Sequence, residues 1–239
     1  MNYFTFKKPY VENGKTLLEV NILPEKYCTF NCIFCPVSRK EWKHVKADAI
    51  KDYGDVTDSI AELQRRITDV KPDLVFINSL GEALLNKDLP KVIDTIHQAG
   101  LPVRLLSNGS LYHIPALAAI ANTCEEVTGE IKVPMDPKFQ KAQRPVDWCH
   151  AESFIQNMIA FRKQYKGIFR LEITIIKGYS DDPESIALFA DAVTRMQPDV
   201  LQVVPIDDMF QKKLGVSADT LAVISKKLHA CLAYPCCPA

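Results

Sequence analysis

Six short stretches of the chain are apolar, or alternate apolar with polar, at strand length. They are Thr16–Leu23, Leu74–Ile77, Val103–Leu106, Glu126–Val133, Phe169–Ile176 and Val200–Val204. Between them, apolar residues recur at three- and four-residue spacing. Thr57 or Asp58 is placed to cap a helix carrying Ile60, Leu63, Ile67 and Val70, which Lys71-Pro72-Asp73 breaks. Asp88 precedes a helix with Pro90 in its first turn, ended by Gly100. A further helix runs over about Ile114 to Ala121. Ser153 opens one bearing Phe154, Met158, Ile159 and Tyr165, which stops at Gly167. Asp182-Pro183 opens one with Ile186, Phe189, Val193 and Met196, and Ser217 a last one with Leu221, Ile224 and Leu228. Residues 1–16 form an irregular or hairpin-like lead-in, and 42–53 a charged, partly helical connection.

Strands that alternate with helices predict a parallel α/β sheet. No Gly/Ser-rich linker divides the chain, so residues 1–239 are expected to form one domain, with a core over 17–205 and a C-terminal helix and cysteine-containing tail over 217–239. Strands covered on both faces should be almost wholly apolar. Here Glu19 and Asn21 alternate with Leu18, Val20 and Ile22; Glu130 and Lys132 with Ile131 and Val133; Arg170, Glu172 and Thr174 with Leu171, Ile173 and Ile175. Arg104 and Gln202 interrupt two more strands. Six strands with a polar lining predict a partly open, TIM-like (β/α)6 barrel around a polar ligand. The competing reading is that these residues face solvent on sheet edges.

Basic and acidic residues number 29 each, so the formal net charge is zero. That balance makes no demand for nucleic acid or a membrane surface, though it leaves nucleic acid open. The N-terminus lacks an apolar signal core and no run reaches membrane-spanning length. Eight cysteines in such a chain read as ligands and free thiols before disulfides, which suits a reducing cytoplasm.

Three of those cysteines, Cys28, Cys32 and Cys35, follow the first strand in the pattern C-x3-C-x2-C. Structural zinc wants four protein ligands, whereas three thiolates can grip one iron–sulfur cluster and leave a position open. A zinc loop completed by a remote ligand, or buried structural cysteines, are the alternatives. The spacing, with Phe34 before the last cysteine, closely resembles the radical SAM superfamily. In its members three cysteines bind a [4Fe–4S] cluster and S-adenosylmethionine (SAM) chelates the fourth iron.

The likeness continues in order along the chain. Gly81-Glu82, after the second strand, resembles the family's GGE motif, whose backbone and acid bind the SAM ammonium; Leu80 and Ala83 depart from it. Ser107-Asn108-Gly109 resembles its T-N-G segment, with small polar groups for SAM's ribose or carboxylate. Lys132-Val-Pro-Met-Asp136 resembles K-V-S-L-D, in which Asp136 meets a ribose hydroxyl or serves as a turn or cap. Ile176-Lys-Gly178 resembles V-K-G, with Gly178 letting backbone approach adenine, and Arg144-Pro145 matches R-P.

The resemblance spans about Leu17 to Pro205. It is nearest to short radical SAM oxidoreductases whose relatives include wyosine-type tRNA-modifying enzymes. It implies a partial (β/α)6 barrel and an external flavodoxin- or ferredoxin-like electron donor. It also implies reductive cleavage of SAM to a 5′-deoxyadenosyl radical, which takes hydrogen from a small-molecule or peptide substrate. A tRNA or protein substrate is the second reading, and a non-catalytic iron–sulfur or zinc module the third. Lys132, Arg170 and Glu172 share one strand face and are expected inside the barrel. There they hold a substrate carboxylate or phosphate, or form a structural ion pair. Cys231, Cys236 and Cys237 at the C-terminus are free thiols, a second metal site or redox-active thiols.

Overall fold

The computed structural model describes residues 2–37, 49–146 and 149–232. Three strands open the chain: β1 (Thr5–Phe6), β2 (Tyr10–Glu12) and β3 (Lys15–Asn21). The alternating series follows as α1 (Thr57–Val70), β4 (Leu74–Ile77), α2 (Leu89–Gln98), β5 (Val103–Leu106), α3 (Pro115–Ala121) and β6 (Glu126–Ile131). It continues with α4 (Lys138–Ala142), α5 (Ala151–Gln164), β7 (Ile168–Ile175), α6 (Pro183–Met196), β8 (Val200–Pro205), α7 (Asp208–Leu214) and α8 (Ala218–Ala230).

The six strands β3 to β8 pair in chain order and all in parallel. The lead-in folds back on the free edge of β3: β1 sets Thr5 opposite Asn21, and β2 sets Tyr10 opposite Leu17, both antiparallel. Among the described residues β8 is the other edge, so the barrel is partial, as the polar lining predicts.

Parallel register fixes which side chains share a face. Leu18, Val75, Val103, Val127 and Leu171 are at most 1% exposed and point outward under the helices. Each such aliphatic burial stabilises the fold by roughly 1.5–3 kcal/mol. Glu19, Phe76, Arg104, Glu126, Glu130, Arg170 and Glu172 take the opposite parity and line the interior. The edge-in-solvent alternative therefore fails for the set: Glu19, Arg104, Glu126 and Arg170 are all buried.

Several boundaries differ from expectation. Helix α1 begins at Thr57, but Asp55 holds it, accepting from the Thr57 N–H at 2.9 Å. Helix α5 begins two residues before Ser153, whose hydroxyl donates to the His150 carbonyl instead of capping. Asp88 occupies a cap position without a side-chain bond, whereas Asp182 and Ser217 cap as expected. Strand β6 stops at Ile131, leaving Lys132 in the loop beyond it. The short helices α4 and α7 lack a full apolar stripe and escape periodicity.

The N-terminal end of the interior is closed by charge. Arg104 donates from Nε to Glu126 and from Nη1 to Glu12, both at 2.6 Å. Arg170 reaches Glu126 at 3.5 Å and Glu12 at 3.9 Å. Glu12 comes from β2, so the lead-in hairpin supplies half of the acid on this floor.

Candidate functional site

The C-terminal ends of the parallel strands carry the loops, and the cysteine loop is locked among them. The Tyr27 carbonyl accepts from the Glu82 N–H at 2.8 Å, and Tyr27 bridges Gly81. Gly81 has φ 153°, and a Cβ there would lie 2.0 Å from the Tyr27 oxygen, so only glycine admits this approach. On its other side the loop is clamped by the segment after α4. Ile33 N–H donates to the Ala142 carbonyl at 2.8 Å, Asn31 N–H to Arg144 at 3.2 Å, and Phe30 bridges Pro145. The Arg144-Pro145 pair thus serves as a backbone clasp. Phe30 packs edge-on against both Phe139 and Phe154.

Glu82 is fully buried. Its carboxylate accepts from the Leu84 N–H at 3.2 Å, the Asn108 N–H at 2.9 Å and the Ser107 hydroxyl at 3.0 Å. Burial pushes its carboxyl up to about 7, against the pull of those three donors. It fastens the loop after β4 to the loop after β5. Asn108, so held, donates from Nδ2 to the Cys28 sulfur at 3.4 Å and to the Thr29 hydroxyl at 3.0 Å. Ser107 lies behind it, buried against Glu82.

Cys28, Cys32 and Cys35 line one cleft of about 200 Å³ together with Phe30, Phe34, Gly81, Asn108, Glu130 and Lys132. Burial pushes the Cys28 thiol up to about 12, helped by the Glu82 carboxylate. Burial also raises the Cys32 thiol, with the Lys132 cation pulling the other way. All three cysteines are free. Among the described residues no three His, Cys, Asp or Glu side chains gather closely enough to hold a single metal ion. Three free thiols lining one cavity suit an iron–sulfur cluster with an open position, whereas structural zinc takes four protein ligands.

Other expected site residues lie elsewhere. Asp136 accepts from the Ala151 N–H at 3.3 Å and lines a separate cleft between α5 and α6, with Met135, Leu188 and Arg195. Gly178 sits in an exposed turn, its N–H donating to Asp181 at 2.7 Å. The trio Lys132, Arg170 and Glu172 is divided. Arg170 belongs to the floor network, while Lys132 pairs with Glu130 at 2.7 Å in the cleft wall, and Glu172 is the register partner of Glu130 on β7. Sequence reasoning passed over Glu130 as a site residue, although its parity with Lys132 and Glu172 was the available signal. Cys231 ends α8 with its thiol near the Lys227 carbonyl, and Cys236 and Cys237 lie outside the described residues.

Comparison with known proteins fits this arrangement. The chain is 27% identical over 189 residues to the GTPase Obg of Brachyspira hyodysenteriae, covering 78% of this chain and 27% of that protein. It is 24% identical over 185 residues to a UPF0026 protein of Methanocaldococcus jannaschii, covering 77% of this chain and 57% of that one. The chain thus spans from about a quarter to somewhat over half the length of these curated relatives. Among solved structures, TYW1 with a lysine-pyruvate adduct bound shares the fold at TM-score 0.64 and 20% identity, over 90% of this chain and 73% of that one. A radical SAM methyltransferase from Sphaerobacter thermophilus does so at TM-score 0.67 and 12% identity, over 97% and 75%. The enzyme anSMEcpe with bound AdoMet matches at TM-score 0.55 and 16% identity, over 77% and 50%. The Radical SAM superfamily model matches residues 22–190, from the end of the first long strand into α6. The chain is a member of the radical SAM superfamily, whose cofactors are a [4Fe–4S] cluster and SAM.

Proposed function

We propose that Cys28, Cys32 and Cys35 hold three corners of the [4Fe–4S] cluster and that the adjoining wall, with Gly81 and Asn108, receives SAM. The reading makes the protein an oxidoreductase or modifying enzyme acting on a small molecule or peptide. The observation that carries it is convergence: thiols from the loop after β3, the glycine after β4 and the amide after β5 line one cleft. When bound, the cluster and SAM supply a one-electron reductive cleavage that yields methionine and a 5′-deoxyadenosyl radical.

The chain's own residues prepare the place for it. The Asn108 amide donates to the Cys28 sulfur, which favours the anionic thiolate that a metal site needs. Lys132 sets a positive charge near Cys32 with the same effect. Glu82 works behind the cleft, fixing Asn108 through its backbone. Phe30 and Phe34, 3–4% exposed, wall off water from the thiols. Electrons come from an external donor protein, and a substrate enters from the open side of the barrel.

Anaerobic reconstitution with iron and sulfide tests the reading. The expected result is about four irons per chain from this site and, on reduction with SAM, 5′-deoxyadenosine. A Cys32→Ala protein should produce none. Parent-level product from that variant would return the three cysteines to a structural role.

A further inference from the structure

One side chain, Asn108, ties the loop after β5 to the cysteine loop. Its Oδ1 accepts from the Ser110 N–H at 2.9 Å. Its Nδ2 donates one proton to the Thr29 hydroxyl at 3.0 Å and the other to the Cys28 sulfur at 3.4 Å. A primary amide carries two N–H donors, so both are spent inside the protein. A second donor reaches the same sulfur, the Phe30 N–H at 3.5 Å. Chemistry fixes which way round the amide sits. The Ser110 N–H needs an acceptor, so the oxygen faces Ser110 and the nitrogen faces the sulfur.

Buried groups hold this amide from every direction the chain approaches it. Glu82 accepts the Asn108 backbone N–H at 2.9 Å. Ser107 supports Glu82, donating to it from its hydroxyl while accepting from the Gly109 N–H at 3.1 Å. Thr29 pairs its hydroxyl with that of Ser110 at 2.7 Å, and both residues are buried. Swinging Asn108 away from the sulfur would leave the Ser110 N–H and the Thr29 hydroxyl short of a partner in the interior. The donor is therefore set against Cys28 before any cofactor arrives.

We propose that Asn108, backed by Thr29 and Ser110, sets the reduction potential of the cluster through Cys28 and raises it toward the reach of the external donor. A one-electron reduction adds negative charge to the cluster and its thiolate sulfurs; no proton moves and no bond in the protein breaks. An N–H aimed at a sulfur stabilises the more negative state more than the less negative one, so the potential rises. Phe30 and Phe34 keep water from the thiols, so a fixed donor counts for more here than in solvent. One lone pair of Oδ1 remains for the SAM wall, while both N–H groups belong to the cluster loop. The assignment rests on the three-cysteine reading and goes beyond it in naming the side chain that governs entry of the electron.

The test is the midpoint potential of the reconstituted protein without SAM, read from the EPR signal of the reduced cluster during a mediated redox titration. Leaving SAM out separates the effect from cofactor binding. Asn108→Ala should lower the midpoint, leaving at least about threefold less reduced cluster at a fixed potential, which is about 30 mV where tenfold is 59 mV for one electron. Thr29→Val, which removes the amide's second acceptor at nearly constant shape, should lower it by less. Thr29→Ser, which keeps the hydroxyl, should return the parent value. The proposal is overturned if Asn108→Ala keeps the parent midpoint or raises it, or if Thr29→Val and Thr29→Ser behave alike. If only Asn108→Ala fails to fold or to hold iron, the Thr29 pair decides. If Thr29→Val fails as well, the proposal is overturned, since the network is then needed for assembly and does not tune the potential. A parent that takes up no cluster sinks the three-cysteine reading, whereas a parent cluster whose potential ignores these variants sinks this inference alone.

Discussion

The two ends of the barrel interior are built from the same residue types by the same alternation, yet they differ in kind. On the floor Glu12, Arg104, Glu126 and Arg170 balance two acids with two bases, packed at 5–7% exposure apart from Glu12. At the mouth, among the described residues, Glu130 and Glu172 are register partners with Lys132 paired to Glu130, and the wall opens on a cavity beside three thiols. A neutral, closed network holds a fold together, whereas one that opens on a cavity is a place for a ligand. The position along the strand, not the residue type, decides which role a charged pair plays.

The largest stability effect should come from the floor. Arg104→Met leaves Glu126 buried without its closest partner and frees Glu12, so denaturant unfolding of the reduced apoprotein should show a loss of about 3–5 kcal/mol. A loss below about 1 kcal/mol would mean that the floor is wetter and less important than its geometry implies.

How much of this contrast the sequence carried depends on range. Strand alternation is local, so the polar lining from Glu19 to Glu172 was legible, as was the cysteine loop with its spacing. Pairing across long separations was not. Nothing in the pattern tells that Glu12 crosses 92 residues to meet Arg104, taking Arg170 into the floor instead of the substrate wall. Glu82 stood out by motif, but its three internal donors come from loops that only the fold brings together. Asp136 lies five residues beyond the end of β6, where strand parity no longer applies, and its carboxylate accepts from the first residue of α5. Asp55 and His150 flank helices whose apolar stripe points equally well to starts two residues away.

The next effect falls on the link between the loops after β4 and β5, both at the mouth. Glu82→Gln puts an amide where both oxygens accept, leaving either the Leu84 N–H or the Ser107 and Asn108 donors facing an NH2 group at a cost of about 1–3 kcal/mol. The visible absorbance of the reconstituted cluster should persist, while SAM binding weakens through the displaced Asn108. Unchanged SAM affinity would show that Asn108 keeps its place without this anchor.

The smallest effect is a pH dependence that belongs to the mouth alone. The Glu172 carboxyl, raised by burial and by Glu130 to about 7 from 4.5, binds a proton in the folded state that the unfolded chain has released. Between those values the native state holds more protons, so apoprotein stability falls as pH rises through the window. Glu82 adds in the same direction. Glu172→Gln should flatten the fall, and an equally steep fall in the variant would assign it elsewhere.

The division between mouth and floor is tested most directly by 5′-deoxyadenosine formed per folded, reconstituted chain, measured side by side in Cys32→Ala and Arg170→Met. The account predicts no product from Cys32→Ala and parent-level product from Arg170→Met, whose loss is one of stability. Product from the cysteine variant, or its disappearance from a folded, iron-loaded Arg170→Met, would contradict it.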